Sequence, residues 1–188
     1  RTLKTLSRPR VIETRAALVA ALTSRGFSPG IVNGGGTGSI DANAREPALT
    51  EIAAGSGFLA SHLFDGYRGL SLRRAAFFAL QVVRKPAPGI VTCHGGGFVA
   101  SGASGRDRLP VPVFPEGLSL LDLEGAGEVQ TPLHVPRGVD LALGDPVFFR
   151  HAKAGELAEH VNEYILVRGE TAVERAPTYR GMGKCFLG

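Results

Sequence analysis

Apolar residues recur at helical spacing near the start of the chain. Val11, Leu18, Val19 and Leu22 share one helical face, so residues 1–30 read as mainly helical. Ser7 is the expected N-cap, and Pro9 falls in the expected first turn, where its missing N–H costs nothing. Gly26 is the expected stop. Gly30-Ile31-Val32 then reads as a short apolar strand that runs directly into the glycine-rich stretch Asn33–Ser39. Helix, short strand and glycine loop is the order expected at the end of an α/β barrel.

The pattern changes near residue 70. Phe77 to Val83 is an apolar run closed by Arg84-Lys85-Pro86, and Ile90–Cys93 is a second strand. Leu118, Leu120, Leu121 and Leu123 give a third, imperfectly alternating one. Gly144-Asp145 forms a turn before Pro146–Phe149. Tyr164–Val167 and Thr171–Arg175 flank Arg168-Gly169-Glu170 as a hairpin. The second half therefore reads as an all-β domain, with the boundary near Tyr67–Leu72. The expectation is α/β plus all-β: residues 1–68 as one domain, residues 69–188 as the other. No internal repeat is present.

Composition narrows the class without changing the plan. A chain of 188 residues with 44% hydrophobic content and a mean hydropathy of +0.09 buries a core, so it is not a disordered chain. Its 26 glycines lie in short runs rather than at a fixed period, which excludes collagen. The net charge is +4, but apart from Arg1–Arg15 and the Arg73-Arg74 pair the basic residues are scattered. No recognition helix, zinc-finger spacing or aromatic RNA motif accompanies them, so no nucleic-acid partner is expected. Cys93 and Cys185 suggest no disulfide framework. No signal peptide and no apolar run near the roughly 20 residues of a membrane helix is seen, so a reducing, cytoplasmic setting without a membrane partner is expected. The first residue is not Met and lies close to a helix, which reads as a fragment or a truncated gene product.

Asn33-Gly34-Gly35-Gly36-Thr37-Gly38-Ser39 is the most informative stretch. Glycines free the backbone to approach a ligand, successive N–H groups can converge on an anion, and the Thr37 and Ser39 hydroxyls add donors. A Walker A loop fails here because no Lys follows Gly38. A dinucleotide fingerprint fails because Ser39 stands where a third Gly or Ala is required. A plain glycine-rich surface turn remains the alternative.

The loop is followed by Thr50-Glu51-Ile52-Ala53-Ala54-Gly55-Ser56-Gly57. The ordered pair resembles D-threonine aldolases and D-serine dehydratases of the alanine racemase type, where a GGGTG loop precedes T-E-x-x-x-G-S. Further segments resemble a branch called amino acid deaminase/aldolase: Leu63–Tyr67, Arg84–Gly89, Gly95–Gly97, Glu124–Leu133, Phe149–Leu157, Thr178–Gly181 and the closing Cys185-Phe186-Leu187. The resemblance implies the tail end of a (β/α)8 barrel that binds pyridoxal 5'-phosphate, followed by a C-terminal β domain. It also implies a small amino acid substrate and a homodimer. Asn33 would shape the loop, and Gly35, Gly36, Thr37 and Gly38 would hold the cofactor phosphate. Gly57 stands where a Tyr often follows the G-S pair, so Tyr67 is the candidate for that polar contact. The family's Schiff-base lysine lies early in the barrel, and Lys4, Lys85, Lys153 and Lys184 sit in the wrong contexts to replace it.

Metal-dependent members carry a His and, two residues on, a Cys or Asp. Here His151 is followed by Lys153, whose ammonium has no lone pair to offer a cation. A divalent metal is therefore not expected. His151 with Glu156 is the residual metal candidate; Lys153 is either the candidate for supplying positive charge in the metal's place, toward a substrate carboxylate, or a solvated side chain. His94 precedes a glycine turn and is either structural or a proton carrier. Asp122, Glu124 and Glu128 read as an exposed acidic face on a β-like segment. The functions left open are a deaminase/aldolase (lyase) on a D- or β-hydroxy amino acid, a racemase using the same cofactor, and a non-catalytic remnant or phosphate-binding module that needs a separate N-terminal half.

Overall fold

The computed structural model describes residues 2–185, with side chains from residue 6 onward, and Phe186-Leu187 of the resemblance lie outside the described residues. The chain forms two units. One comprises the residues up to Phe58 together with Tyr67–Ser71, and the other comprises Leu59–Gly66 and the residues from Leu72 on.

In the first unit, helix α1 spans Thr2–Ser24. It begins upstream of the expected start, so Ser7 is not its N-cap and Pro9 lies inside it. Proline there removes one i to i−4 bond, and the helix-forming residues on either side carry the helix through. The helix ends through amides of Arg25, Gly26 and Phe27 that bond back to Thr23 and Leu22 carbonyls, with Gly26 at φ +85°. Its apolar stripe is not buried as a whole: Val11 and Leu18 are exposed, while Ile12, Arg15 and Val19 are partly covered. The short strand falls on Asn33–Gly34 (β1) rather than on residues 30–32, and pairs in parallel with Glu51–Ile52 (β2). Pairing also uses Val32, whose amide donates to Thr50 Oγ1 at 2.8 Å and whose carbonyl accepts from the Thr50 amide at 3.0 Å. A 3-10 turn at Thr37–Ser39 leads into α2, Ile40–Asn43, and α3 spans Ser56–Leu59.

The second unit is built on a six-stranded antiparallel sheet. Its strands are β3 (Phe78–Ala87), β4 (Ile90–His94), β5 (Val111–Phe114), β6 (Ser119–Leu120), β7 (Gln130–His134) and β8 (Pro146–Arg150). Their spatial order is β5-β8-β3-β4-β7-β6. The two edge strands β5 and β6 also contact each other, so the sheet curls in the manner of a barrel. Alternation explains the inner face: Phe78, Leu80 and Val82 on β3 are buried, and the residues between them are exposed. Val91, Cys93, Leu133, Val147 and Phe149 complete the core, with Phe78 and Phe149 stacked at 5.3 Å between ring centroids. The half expected to be all-β also holds a helix, α4, at Ala154–His160, which buries Leu157 in that core. The hairpin is present as β9 (Glu163–Arg168) and β10 (Thr171–Pro177), forming a separate two-stranded ribbon. Asp122, Glu124 and Glu128 lie in turns rather than on a strand, and Asp122 pairs with Arg106 at 2.6 Å.

Candidate functional site

The glycine loop is held from behind by polar groups on neighbouring elements of its own unit. Arg15 of α1 pairs with the buried Glu46 at 2.5 Å, and Asn43 of α2 reaches the other Glu46 oxygen at 3.5 Å. These groups press on the loop backbone. A Cβ on Gly34 would stand 2.9 Å from Leu49 and 3.2 Å from the Arg15 guanidinium carbon, and one on Gly35 would stand 2.9 Å from Asn43 Cγ. Gly35 is also left-handed, at φ +83°, a conformation that costs an L-residue about 1–2 kcal/mol. Asn33 closes the strand end, its side-chain amide donating to the Glu51 carboxylate.

At the front of the loop the Gly36 amide donates to Ser39 Oγ at 3.1 Å, and the Ser39 hydroxyl donates to the Gly36 carbonyl at 3.1 Å. The Thr37 hydroxyl is buried and donates to the Ala54 carbonyl at 3.2 Å. The Thr37 side chain therefore fastens the loop to the segment before α3. The amides of Thr37 and Gly38 belong to the first helical turn, where geometry provides no acceptor within the helix. Two adjacent backbone donors beside glycines suit an anion such as a phosphate. Tyr67 lies against Gly38: a Cβ there would be 2.5 Å from the Tyr67 ring and 3.2 Å from its hydroxyl. Sequence spacing alone did not show this contact, across nearly thirty residues of chain.

In the second unit, His94 ends β4 with its side chain exposed, opposite Gln130 of β7. The glycine turn after it has a packing cause. A Cβ on Gly96 would meet Thr131 Oγ1 at 2.5 Å and Leu80 at 2.6 Å, and one on Gly97 would meet the Glu128 amide nitrogen at 2.7 Å. Thr131 donates to the Gly95 carbonyl at 2.6 Å, and the Gly95 amide donates to Val129 at 2.7 Å. The turn thus fits the backbone of residues 127–131.

Lys153 and His151 do different things. Lys153 precedes α4, and its Nζ donates to the Ser101 carbonyl at 2.7 Å and to Ser101 Oγ at 3.1 Å. The Ser101 amide in turn donates to Glu156 at 2.6 Å. Glu156 is held below its ordinary pKa because these Ser101 bonds and the Lys153 charge outweigh its burial. His151 is 1% exposed, and neither ring nitrogen has a hydrogen-bond partner among the described residues. Burial, and next the Arg150 charge, push its pKa down to about 4, so the imidazole is neutral near pH 7.

Beside His151, Arg150 is buried and donates to both Asp65 oxygens, at 2.5 and 2.8 Å, and to the Ala60 carbonyl at 2.7 Å. This fork holds Ala60 at φ 52°, an uncommon conformation for alanine. The His62 amide donates to the His151 carbonyl at 3.1 Å, and its Nε2 meets the Leu109 carbonyl at 2.8 Å. Neither the Arg150 fork nor the Arg15–Glu46 brace was identified from the sequence, because each joins residues far apart in the chain.

The donor set around His151 does not suit a divalent cation. The residue two positions on is a cation, and the nearby Glu156 already accepts from Ser101. Among the described residues no three His, Cys, Asp or Glu side chains gather as a metal site. No helix among them is long and apolar enough to cross a membrane.

No family model and no curated protein matches the chain. Solved structures do. D-threonine aldolase from Filomicrobium marinum superposes with a TM-score of 0.80 over 96% of this chain at 22% identity. A His-to-Ala mutant of D-threo-3-hydroxyaspartate dehydratase gives a TM-score of 0.68 over 92% of this chain at 19% identity. A Cys-to-Ala mutant of the dehydratase, in the metal-free form, gives 0.63 over 90% at 18% identity. The matches cover 48%, 50% and 52% of those chains, so this chain has the fold of about half of each.

Proposed function

We propose that this chain supplies the phosphate loop and the β domain of a pyridoxal-phosphate-dependent lyase acting on a D- or β-hydroxy amino acid. The observation that carries the reading is the agreement of two independent findings. The fold likeness to D-threonine aldolase extends over 96% of the chain. Within it, the loop that resembles the phosphate loop of such enzymes is braced by Arg15, Glu46 and Asn43 and has two backbone donors, of Thr37 and Gly38, without an acceptor in their helical turn. Residues 1–68 are then the closing part of an α/β barrel and residues 69–188 its partner β domain.

In this reading the amides of Thr37 and Gly38 bind the phosphate, with Gly36 joining them if Ser39 releases its amide. Tyr67, packed on Gly38, bounds the site on one side. Pyridoxal phosphate, when bound, supplies an electron sink for breaking a bond at the α-carbon of an amino acid. Deamination, retro-aldol cleavage and racemisation share that step. His94 is the candidate for moving a proton in the second unit. Lys85 pairs with Asp140 at 3.3 Å and Lys153 is held by Ser101, so neither stands ready to bond the cofactor. The lysine is therefore proposed to come from sequence of the kind that the matched structures have beyond the shared half, and the whole activity is proposed for that assembly, as a homodimer.

Titrating the protein with pyridoxal phosphate, following cofactor absorbance, and then adding borohydride tests the reading. Saturable binding that Gly35→Ala weakens at least tenfold, with no cofactor fixed covalently by reduction, is the expected result. Covalent fixation means that a lysine of this chain serves after all. Absence of saturable binding rejects the cofactor and leaves a non-catalytic remnant as the better description.

A further inference from the structure

Among the matched structures, the metal-free form belongs to a dehydratase from which a cysteine has been removed. In the resemblance that cysteine, or an aspartate, follows the metal-binding histidine by two residues, and the matching pair here is His151 and Lys153. His151 keeps the appearance of a ligand, since its imidazole is fully buried and both nitrogens lack a hydrogen-bond partner among the described residues. The residue two positions on is a cation rather than a cysteine or aspartate. The Lys153 ammonium binds both oxygens of Ser101, at 2.7 and 3.1 Å, and Glu156 accepts the Ser101 amide at 2.6 Å. Ser101 is thus gripped at its carbonyl, hydroxyl and amide by two side chains that flank the first turn of α4.

We propose that Lys153 has taken the place of a divalent cation in this chain. Its ammonium supplies the fixed positive charge that ties the segment around Ser101 to the start of α4, and the same charge keeps a metal from His151. An ammonium at the position of the second ligand offers a metal no lone pair, and its charge opposes a cation there. Glu156 cannot compensate alone, because a lone imidazole and one carboxylate already in use fall short of the ligand sets that hold zinc or manganese. The inference rests on the proposed function only for the choice of position. Its readout needs no cofactor, so metal exclusion and cofactor binding succeed or fail separately.

The test is calorimetric titration of the full chain with MnCl2 alone and with ZnCl2 alone, after treatment with chelator. The wild type is expected to take up neither ion in a way that His151→Ala alters. Lys153→Asp is expected to gain one site per chain, binding at least 100-fold tighter than the wild type, and His151→Ala on that background is expected to abolish it. Lys153→Cys serves in the same role if Lys153→Asp does not fold, as judged by circular dichroism and a thermal melt. Wild-type uptake of one ion that His151→Ala removes overturns the proposal. So does a folded Lys153→Asp or Lys153→Cys variant that gains no site.

Discussion

Removing the Asp65 carboxylate should cost more than removing the Arg150 guanidinium that it binds. The Arg150 side chain is 4% exposed, while that of Asp65 is 50% exposed. Breaking a fully buried ion pair by deleting one partner costs about 3–5 kcal/mol, because a charge is left behind without compensation. Water reaches one side of Asp65, so Asp65→Ala is expected to cost about 2–3 kcal/mol, with the guanidinium left bonded to the Ala60 carbonyl alone. Asp65→Asn keeps one acceptor and should cost about 1–2 kcal/mol. Arg150→Met removes the buried charge itself, fills a similar volume, and frees Asp65 to solvent. What remains is the Ala60 carbonyl without its donor, at about 1–2 kcal/mol. Equilibrium urea unfolding with unchanged m-values gives the ranking directly. A loss under about 0.5 kcal/mol for Asp65→Ala, or a larger loss for Arg150→Met than for Asp65→Ala, would refute the reasoning. A pH series adds a second reading. The Arg150 hydrogen bonds hold the Asp65 pKa below its ordinary value despite some burial. Its contribution is therefore complete above the ordinary carboxylate pKa and is lost as pH falls through the lowered one. Asp65→Asn should remove that part of the acid sensitivity.

His151 also contributes to acid sensitivity, beginning at higher pH. With its folded pKa near 4, the unfolded chain takes up the proton first, so about 3 kcal/mol of stability present above pH 6.5 should be lost by pH 4; urea titrations of wild type and His151→Phe should differ in slope across that window. Cys93 is fully buried and burial raises its pKa to about 11, whereas Cys185 is exposed, so a disulfide-exchange reagent should find one reactive thiol per native chain and two after denaturation. Gly97→Ala should destabilise the β unit by about 1–3 kcal/mol, since the new methyl meets backbone that cannot step aside; a thermal midpoint equal to wild type would show that residues 127–128 yield.

Where side chains alternate, the sequence was easy to read. Strands β3, β4 and β8 and the β9–β10 ribbon follow from apolar runs bounded by Gly, Pro and charged residues. Strands β5 and β7 were missed because each carries a proline, which ordinarily argues against a strand. Both prolines sit where the ladder is irregular or ends. Pro112 is on an edge strand, beside a register shift. Pro132 turns its carbonyl toward the Leu121 amide, at 3.3 Å, past the point where β6 ends, so its missing N–H faces the same gap. Helix α4 was missed because Leu157 is its one fully buried side chain, leaving no periodic stripe. The glycine loop was legible because glycine run, hydroxyls and spacing all lie within one local stretch. The groups that brace it were not: Arg15 and Glu46 are 31 residues apart, and a single sequence carries no trace of that pairing. The helix start was misjudged for a related reason. Local capping signals at Ser7 and Pro9 lost to the helix-forming residues before them.

The path of the chain near residue 60 bears on how a protein like this could be divided or recombined. The backbone leaves the first unit after Phe58, deposits Leu59–Gly66 in the second, returns for Tyr67–Ser71, and crosses again at Leu72. A gene cut at any one of these crossings does not yield two self-sufficient halves. A β unit begun at Leu72 would inherit Arg150 without Asp65, and with it an orphaned buried cation. A first unit ended at Phe58 would lack the ring that lies against Gly38. Exchange of whole modules by a single recombination event is thereby penalised, because any single cut separates residues 59–66 or 67–71 from the unit in which they pack.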